Sequence, residues 1–360
     1  MKKIFCLMLV LALLVPGAGA LSAHSAIVLD GVTGECLFAQ NADEQLPMAS
    51  TTKIMTAITA IEMGNIDRVY TVKKEYTGVE GSSMYLRAGE RISLRDTLYG
   101  LMLMSGNDAA VAIAGECGGQ EAFVDAMNAK AEELQLYHTH FENPNGLDGE
   151  THYTTARELA KLTAYAMRNE TFREIVSTAS CTVAGRTMTN HNKMLRLYDD
   201  AVGVKTGFTK RAGRCLVSAA ERDGRLLIAV TLNAPDDWND HVSMLSAAFA
   251  QFETISLVEA GETVSTVPVE GGWLDAVDLV ADETVALSLS EEERERLQTV
   301  REGRRFLYAP VAAGESCGAL VYRLDGVELA RVGLTTAQDS EQLAETPSFW
   351  ARLFGWLPFL

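Results

Sequence analysis

Short apolar runs open and close the first two thirds of the chain, and helical periodicity dominates between them. Residues 25–30 and 35–39 predict two strands joined by a glycine-bounded turn, and strand patterns return at 215–221 and 226–233 around an Asp-Gly turn. Apolar spacing of three and four predicts helices between these strands and one after them. The predicted helices cover residues 91–104, 108–116, 121–134, 155–168 and 237–252. This order predicts an α+β fold, an antiparallel sheet flanked by helices with an all-helical insertion.

The pattern changes near residue 256, where short apolar runs replace the helical spacing. Asp325-Gly326 marks a further hairpin among them. The charged run 291–296 suggests no chemistry and is expected to form a solvated surface. These features predict a small all-β second domain over 256–337. The apolar runs are 264–269, 273–280, 284–289, 306–312 and 319–334.

Both ends of the chain carry apolar segments of a different kind. Lys2 and Lys3 precede twelve apolar residues and an Ala-Gly-Ala sequence, which predicts a cleaved export signal over 1–20. The last thirteen residues are rich in Phe and Trp but too few to span a bilayer. Residues 338–360 are therefore predicted to be a linker and an amphipathic helix that lies in the membrane interface. Packing of this tail against the second domain is the alternative.

The charge balance excludes one class of partner. The net charge is −17, and it becomes −19 once Lys2 and Lys3 leave with the signal. Because phosphate binding needs a basic surface, nucleic acid is not an expected partner. Adhesion to anionic lipid by charge alone is excluded for the same reason, so membrane attachment must be apolar.

The strongest chemical signal lies at residues 47–53, where a loop runs into a predicted helix. Helical spacing places Ser50 at the helix start and Lys53 one turn later on the same face. A lysine can take the proton of a serine nucleophile if its pKa is lowered, and burial, a helix amino-terminus or a second cation lowers it. A capping serine beside a solvated lysine is the ordinary alternative for this short pattern.

Two further stretches favour the catalytic interpretation. Ser105-Gly106-Asn107 follows an apolar run, and Lys205-Thr206-Gly207 precedes a strand-like segment. This combination is that of penicillin-binding proteins and class A β-lactamases. The sequence resembles the low-molecular-weight penicillin-binding proteins, the serine-type D-Ala-D-Ala carboxypeptidases, and most of all their Gram-positive, sporulation-associated branch. Residues 141–147, 152–156 and 190–193 are similar to that family's intervening segments.

The resemblance implies a transpeptidase-like catalytic domain over 21–255, with the three motifs in one cleft. It implies a peptidoglycan stem peptide as substrate, β-lactams as covalent inhibitors, neither cofactor nor metal, and a place on the outer face of the bacterial cytoplasmic membrane. The backbone of Phe208 joins that of Ser50 as an oxyanion donor. The resemblance assigns catalytic roles to Ser50, Lys53 and Ser105 and substrate-binding roles to Asn107, Lys205, Thr206, Gly207, Phe208 and Thr209.

Two alternatives stay open beside the carboxypeptidase, and a third is disfavoured. An endopeptidase acting on cross-links uses the same acyl chemistry, and a non-catalytic sensor binds peptidoglycan or β-lactams without turnover. A β-lactamase is disfavoured because no Glu-x-x-Leu-Asn stretch supplies its deacylating base.

Residues 236–239, Asp-Asp-Trp-Asn, stand where part of the family carries an arginine, so recognition of the terminal carboxylate is open. His138 and His140 have a metal-compatible spacing but no third ligand nearby, and a structural role is expected.

Overall fold

The computed structural model describes residues 21–343, so the predicted signal 1–20 and the apolar tail from Ser348 lie outside the described residues. Within this range the chain forms two compact units, and the boundary between them falls between Phe252 and Glu253. No helix of the described part of the chain is both long enough and apolar enough to cross a bilayer.

The first unit alternates strands and helices. Its described strands are β1 (Ser25–Asp30), β2 (Cys36–Gln40), β3 (Val69–Thr71), β4 (Arg91–Ser93), β5 (Ser180–Val183), β6 (Arg186–Thr189), β7 (Ala201–Thr209), β8 (Gly213–Arg222) and β9 (Arg225–Leu232). Its helices are α1 (Lys53–Glu62), α2 (Leu94–Leu103), α3 (Asn107–Glu116), α4 (Gln120–Glu133), α5 (Ala156–Ala166), α6 (Glu170–Ser177), α7 (Met194–Leu197) and α8 (Asp237–Phe249). Two 3₁₀ turns, Ala49–Thr52 and Lys74–Tyr76, complete it.

Five strands of this unit form one antiparallel sheet in the order β2-β1-β9-β8-β7. Its central strands are mostly apolar and buried along most of their length, because both faces are covered. On β1, Ile27 and Leu29 join the core that includes α1 and α5, while Ala26 and Val28 pack with residues of α8. Strand β7 lies at one edge of the sheet.

The predicted antiparallel sheet flanked by helices is confirmed, but the insertion is not all-helical. Two short hairpins, β3-β4 and β5-β6, interrupt it. Residues 91–93 were predicted to begin a helix and instead form β4. The helix begins at Leu94 because the Ser93 side chain accepts a hydrogen bond from the Asp96 N–H and so caps it. The last predicted helix also ends three residues early, at Phe249.

The second unit is β-rich, as predicted, and its described residues include one short helix. Its described elements are β10 (Glu253–Val258), β11 (Thr263–Glu270), β12 (Ala276–Ala281), β13 (Val285–Leu289), α9 (Glu291–Arg296), β14 (Leu297–Gly303), β15 (Leu307–Tyr308), β16 (Ser316–Leu324) and β17 (Val327–Thr336). The six-stranded sheet has the order β14-β16-β17-β12-β11-β15, and β10 pairs with β13. The predicted Asp325-Gly326 turn joins β16 to β17.

One segment of this unit adds to its sequence interpretation, and another differs from it. The charged run 291–296 is mostly exposed, as expected, and forms the helix α9, because Ser290 and Glu293 form a reciprocal capping box at its start. Residues 338–343, assigned to a linker, hydrogen-bond back onto the unit: Ser340 bridges to Val311 and Gln342 to Gly272. The pairing of this unit therefore extends to the last described residues.

Candidate active site

Ser50 lies in the tight 3₁₀ turn Ala49–Thr52, and α1 begins at Lys53. The turn starts from Ala49, whose φ of 48° is in the left-handed region. This arrangement differs from the predicted regular helix start, yet it keeps Lys53 one turn beyond Ser50. The Lys53 Nζ lies 2.9 Å from the Ser50 Oγ.

Lys53 is completely buried and faces three acceptors. Besides the Ser50 hydroxyl, its Nζ contacts the Asn107 Oδ1 at 2.7 Å and the Asn145 carbonyl at 2.5 Å. Burial, and then the charge of Lys205, holds the pKa of Lys53 well below its usual value, although Asp108 opposes the shift. The amine is therefore biased towards its neutral, basic form.

Lys205 supplies the second cation that the sequence required. Its motif was predicted to precede a strand, but it lies inside β7. The side chain is 1% exposed, and its Nζ donates to the Thr206 carbonyl at 2.8 Å. Burial lowers the pKa of Lys205 to about 7.

The Ser105-Gly106-Asn107 motif forms the turn between α2 and α3. Ser105 has a φ of 58° and is nearly buried. Asn107 begins α3, and its amide is committed to protein partners: Oδ1 accepts from Lys53, while Nδ2 donates to the Glu80 carbonyl at 2.6 Å. Asn107 has a predicted substrate-binding role, but a substrate would have to compete with Lys53 and the Glu80 carbonyl for its side-chain amide.

The backbones of two glycines, Gly146 and Gly207, lie in close contact with the turn that carries Ser50. A Cβ on Gly146, where φ is 86°, would lie 2.1 Å from the Ala49 carbonyl oxygen and 2.9 Å from the Ser50 nitrogen. A Cβ on Gly207 would lie 3.1 Å from the same nitrogen. The chain around Ser50 is thus enclosed by backbone from two distant segments, and any side chain at residue 146 would displace it.

A cavity of about 710 Å³ opens at this turn. Five predicted site residues line it, whereas Lys53, Asn107 and Lys205 are not among the lining residues and are nearly or fully buried. Thr209 does not line it, because its hydroxyl donates to the Asp148 carboxylate at 2.9 Å and accepts from the Ala212 N–H. The predicted residues that line the cavity are Ser50, Ser105, Thr206, Gly207 and Phe208.

Eleven other residues line the cavity without a role assigned from the sequence, and six of them have charged, imidazole or indole side chains. His191 and Lys193 belong to the 190–193 segment, which carried the family resemblance but suggested no chemistry. Arg214 and Asp237 are 23 residues apart, and only the β7-β8 register and the start of α8 bring them to the cavity. The six are His191, Lys193, Arg196, Arg214, Asp237 and Trp238.

The histidine nearest the serine turn has a structural role. His152 Nδ1 accepts the Glu142 N–H at 3.0 Å, so Nε2 carries the proton and donates to the Thr52 hydroxyl at 2.7 Å. Burial lowers the pKa of His152 to about 4, so it is neutral at physiological pH. His138 and His140 join no metal-compatible group of three His, Cys, Asp or Glu residues in the part of the chain that the structure describes.

Comparison with known proteins agrees with this geometry. Residues 14–236 match the family model described as D-alanyl-D-alanine carboxypeptidase, and residues 252–342 match that of the penicillin-binding protein 5 C-terminal domain. The D-alanyl-D-alanine carboxypeptidase DacF of Bacillus subtilis is 33% identical over 354 residues, covering 94% of this chain and 90% of the relative. DacA of Haemophilus influenzae is 30% identical over 356 residues, covering 94% and 89%.

Solved structures give the same result. Penicillin-binding protein 5 from Haemophilus influenzae superimposes with a TM-score of 0.64 at 29% identity, covering 91% of this chain and 99% of that one. The chain belongs to the D-alanyl-D-alanine carboxypeptidase family, of the penicillin-binding protein type. The resemblance inferred from the three motifs is therefore confirmed.

Proposed function

We propose that this protein removes the terminal D-alanine from peptidoglycan stem pentapeptides through an acyl-enzyme on Ser50. The observation that carries the proposal is the 2.9 Å contact between the Lys53 Nζ and the Ser50 Oγ, made by a buried amine of lowered pKa. A neutral lysine has two N–H groups for the Asn107 and Asn145 oxygens. Its lone pair is then left for the Ser50 hydroxyl proton, which is the arrangement a general base needs.

The first step forms an ester and breaks a peptide bond. Ser50 Oγ attacks the carbonyl carbon of the penultimate D-alanine while Lys53 takes its proton. The backbone N–H groups of Ser50 and Phe208 stabilise the oxyanion, a role supported by the close approach of Gly207 to the Ser50 nitrogen. Ser105 passes a proton to the leaving nitrogen and regains one from protonated Lys53, and D-alanine departs. Water then attacks the ester and gives up a proton to the neutral Lys53, which returns it to the Ser50 Oγ as the shortened peptide leaves.

The shape of the site suits the end of an extended peptide. Strand β7 is an edge strand of its sheet, so one side of its backbone is available for pairing with a bound chain. The cavity lies beside this strand, at Thr206 and Gly207. β-Lactams, which present a reactive amide next to a carboxylate, would acylate Ser50 by the same first step. A sensor without turnover would not need the activated lysine.

The test is release of free D-alanine from a D-Ala-D-Ala-terminated pentapeptide by wild type and by Ser50→Ala. Release by wild type and none above background by the variant supports the proposal. A cross-linked muropeptide dimer, run in parallel, separates the endopeptidase alternative, since cleavage of the dimer without D-alanine release would replace the carboxypeptidase assignment.

We also propose that the protein is exported and held at the outer face of the cytoplasmic membrane. The support is sequence alone: the export signal over 1–20 and the Phe- and Trp-rich residues from Ser348. Deleting residues 347–360 should move the protein from the membrane fraction to the soluble fraction. Penicillin labelling should be unchanged, because the site lies in the first unit. A truncated protein that still sediments with membranes would contradict the anchor.

A further inference from the structure

An arginine–aspartate pair is built into the wall of the cavity next to the Lys-Thr-Gly strand. Arg214 on β8 is the cross-strand partner of Phe208 on β7. Its Nε and Nη2 both donate to one oxygen of Asp237, at 3.0 and 2.8 Å. The guanidinium also lies 5.6 Å from the Trp238 ring centroid.

The two partners have different exposures, and this decides what the pair can do. The Asp237 side chain is 2% exposed and the Arg214 side chain is 41% exposed. The buried Asp237 therefore fixes the Nε–Nη2 edge of the guanidinium, while the rest of the Arg214 side chain remains accessible from the cavity. The Nη1 of Arg214 contacts no acceptor among the described residues. A planar donor with a fixed orientation and a free Nη1 is suited to a carboxylate.

Two of the residues with a predicted substrate-binding role have side chains that already bind protein groups, whereas Thr206 lines the cavity. The Lys205 Nζ is buried and donates to the Thr206 carbonyl, and the Thr209 hydroxyl is held by Asp148. Residues 236–239 contain no arginine. Instead, Asp237 in this segment accepts hydrogen bonds from Arg214, which strand β8 supplies. Charge agrees with an anionic ligand, because Asp237 is the one acidic residue among the lining residues, against Lys193, Arg196 and Arg214.

We propose that Arg214, positioned by Asp237, binds the carboxylate of the substrate's terminal residue and thereby selects peptides with a free C-terminus. This inference rests on the proposed function, because the carboxylate belongs to the D-alanine that leaves. Arg214 is the specificity-determining residue, and Asp237 is a positioning residue that acts through it.

The test compares two substrates that differ only at the group Arg214 would bind: a peptide ending in D-Ala-D-Ala and the same peptide as its C-terminal amide. In Arg214→Gln, kcat/KM for the acid should fall about 10- to 100-fold, the range for a lost charge-assisted contact, while the value for the amide changes little. Arg214→Lys should recover part of the loss. An unchanged ratio of acid to amide in Arg214→Gln would overturn the proposal.

The chain offers a matched control on the same strand. Arg222 also lies on β8, is 44% exposed and is held by Asp200 at 2.6 Å, but it does not line the cavity. Arg222→Gln should leave the acid-to-amide ratio at the wild-type value. Because Arg214→Gln leaves Asp237 buried without its partner, Arg214→Gln/Asp237→Asn is the second variant and should show the same loss of discrimination. Retained discrimination in the double variant contradicts the proposal.

A second readout separates this inference from the proposed function. Acylation by benzylpenicillin and by its methyl ester needs no D-alanine release. Arg214→Gln should slow acylation by the free acid alone, and equal slowing of both compounds would contradict carboxylate binding. If wild type releases no D-alanine but still discriminates acid from ester through Arg214, the proposed function fails and the carboxylate site stands.

Discussion

Replacing Lys53 by methionine is expected to slow acylation of Ser50 about 10³-fold, within the range for loss of a general base. Methionine fills a similar buried volume without an amine, so Ser50 keeps its turn and loses the group at 2.9 Å that accepts its proton. The second-order rate constant for acylation by a labelled penicillin measures the effect. Lys161→Met, on an exposed lysine of α5, is the control and should acylate at the wild-type rate.

The pH dependence distinguishes loss of the base from general damage to the site. In wild type, acylation should rise with pH as Lys53 loses its proton, and this limb should lie far below the usual lysine range because the pKa is lowered. It should fall again near pH 7, where Lys205 loses its positive charge and the field that favours an anionic ligand at Arg214 weakens. Lys53→Met should lack the acid limb. An acid limb at the same pH in the variant would show that another group is the base.

Gly146→Ala is expected to lower the rate of acylation of Ser50 at least about 100-fold, which is the loss for a reacting group displaced by 1 Å. The new methyl group would lie 2.1 Å from the Ala49 carbonyl oxygen, and the turn that carries Ser50 must move to admit it. Penicillin labelling, with thermal unfolding to confirm that the variant folds, measures the effect.

The chain contains a control for the backbone strain in this substitution. Gly89 has the same φ of 86°, and a Cβ there would meet nothing within 4 Å. Gly89→Ala therefore adds about 1–2 kcal/mol of left-handed strain without a steric clash. It should be destabilised but acylate normally. Equal loss in both variants would mean that the contact with Ala49 is not what positions Ser50.

The sequence predicted those parts of the site that depend on local spacing. Ser50 and Lys53 are one turn apart, and a 3₁₀ turn or an α-helix brings them together equally well. The sequence did not reveal that the Asn145 carbonyl contacts Lys53, because a backbone oxygen is present at every residue and leaves no signature in residue type. The Arg214–Asp237 pair was missed because it depends on strand register and on where α8 begins.

The same distinction holds for the fold. Strands β1, β8 and β9 were predictable because both faces of the sheet are buried, which requires continuous apolar runs. The hairpins β3-β4 and β5-β6 were missed because their strands have three or four residues and many exposed side chains. Strand β7 was missed altogether, since its Lys-Thr-Gly segment holds a buried lysine and a glycine, which are both unusual inside a strand.

Peptide mapping of the covalent adduct tests whether Ser50 forms the acyl-enzyme. Wild type and Ser50→Ala are incubated with labelled penicillin and, separately, with the D-Ala-D-Ala pentapeptide, and intact mass and free D-alanine are measured. We predict one adduct on the peptide that contains Ser50, with D-alanine released by wild type alone. An adduct on another residue, or D-alanine release that persists in Ser50→Ala, would contradict the claim.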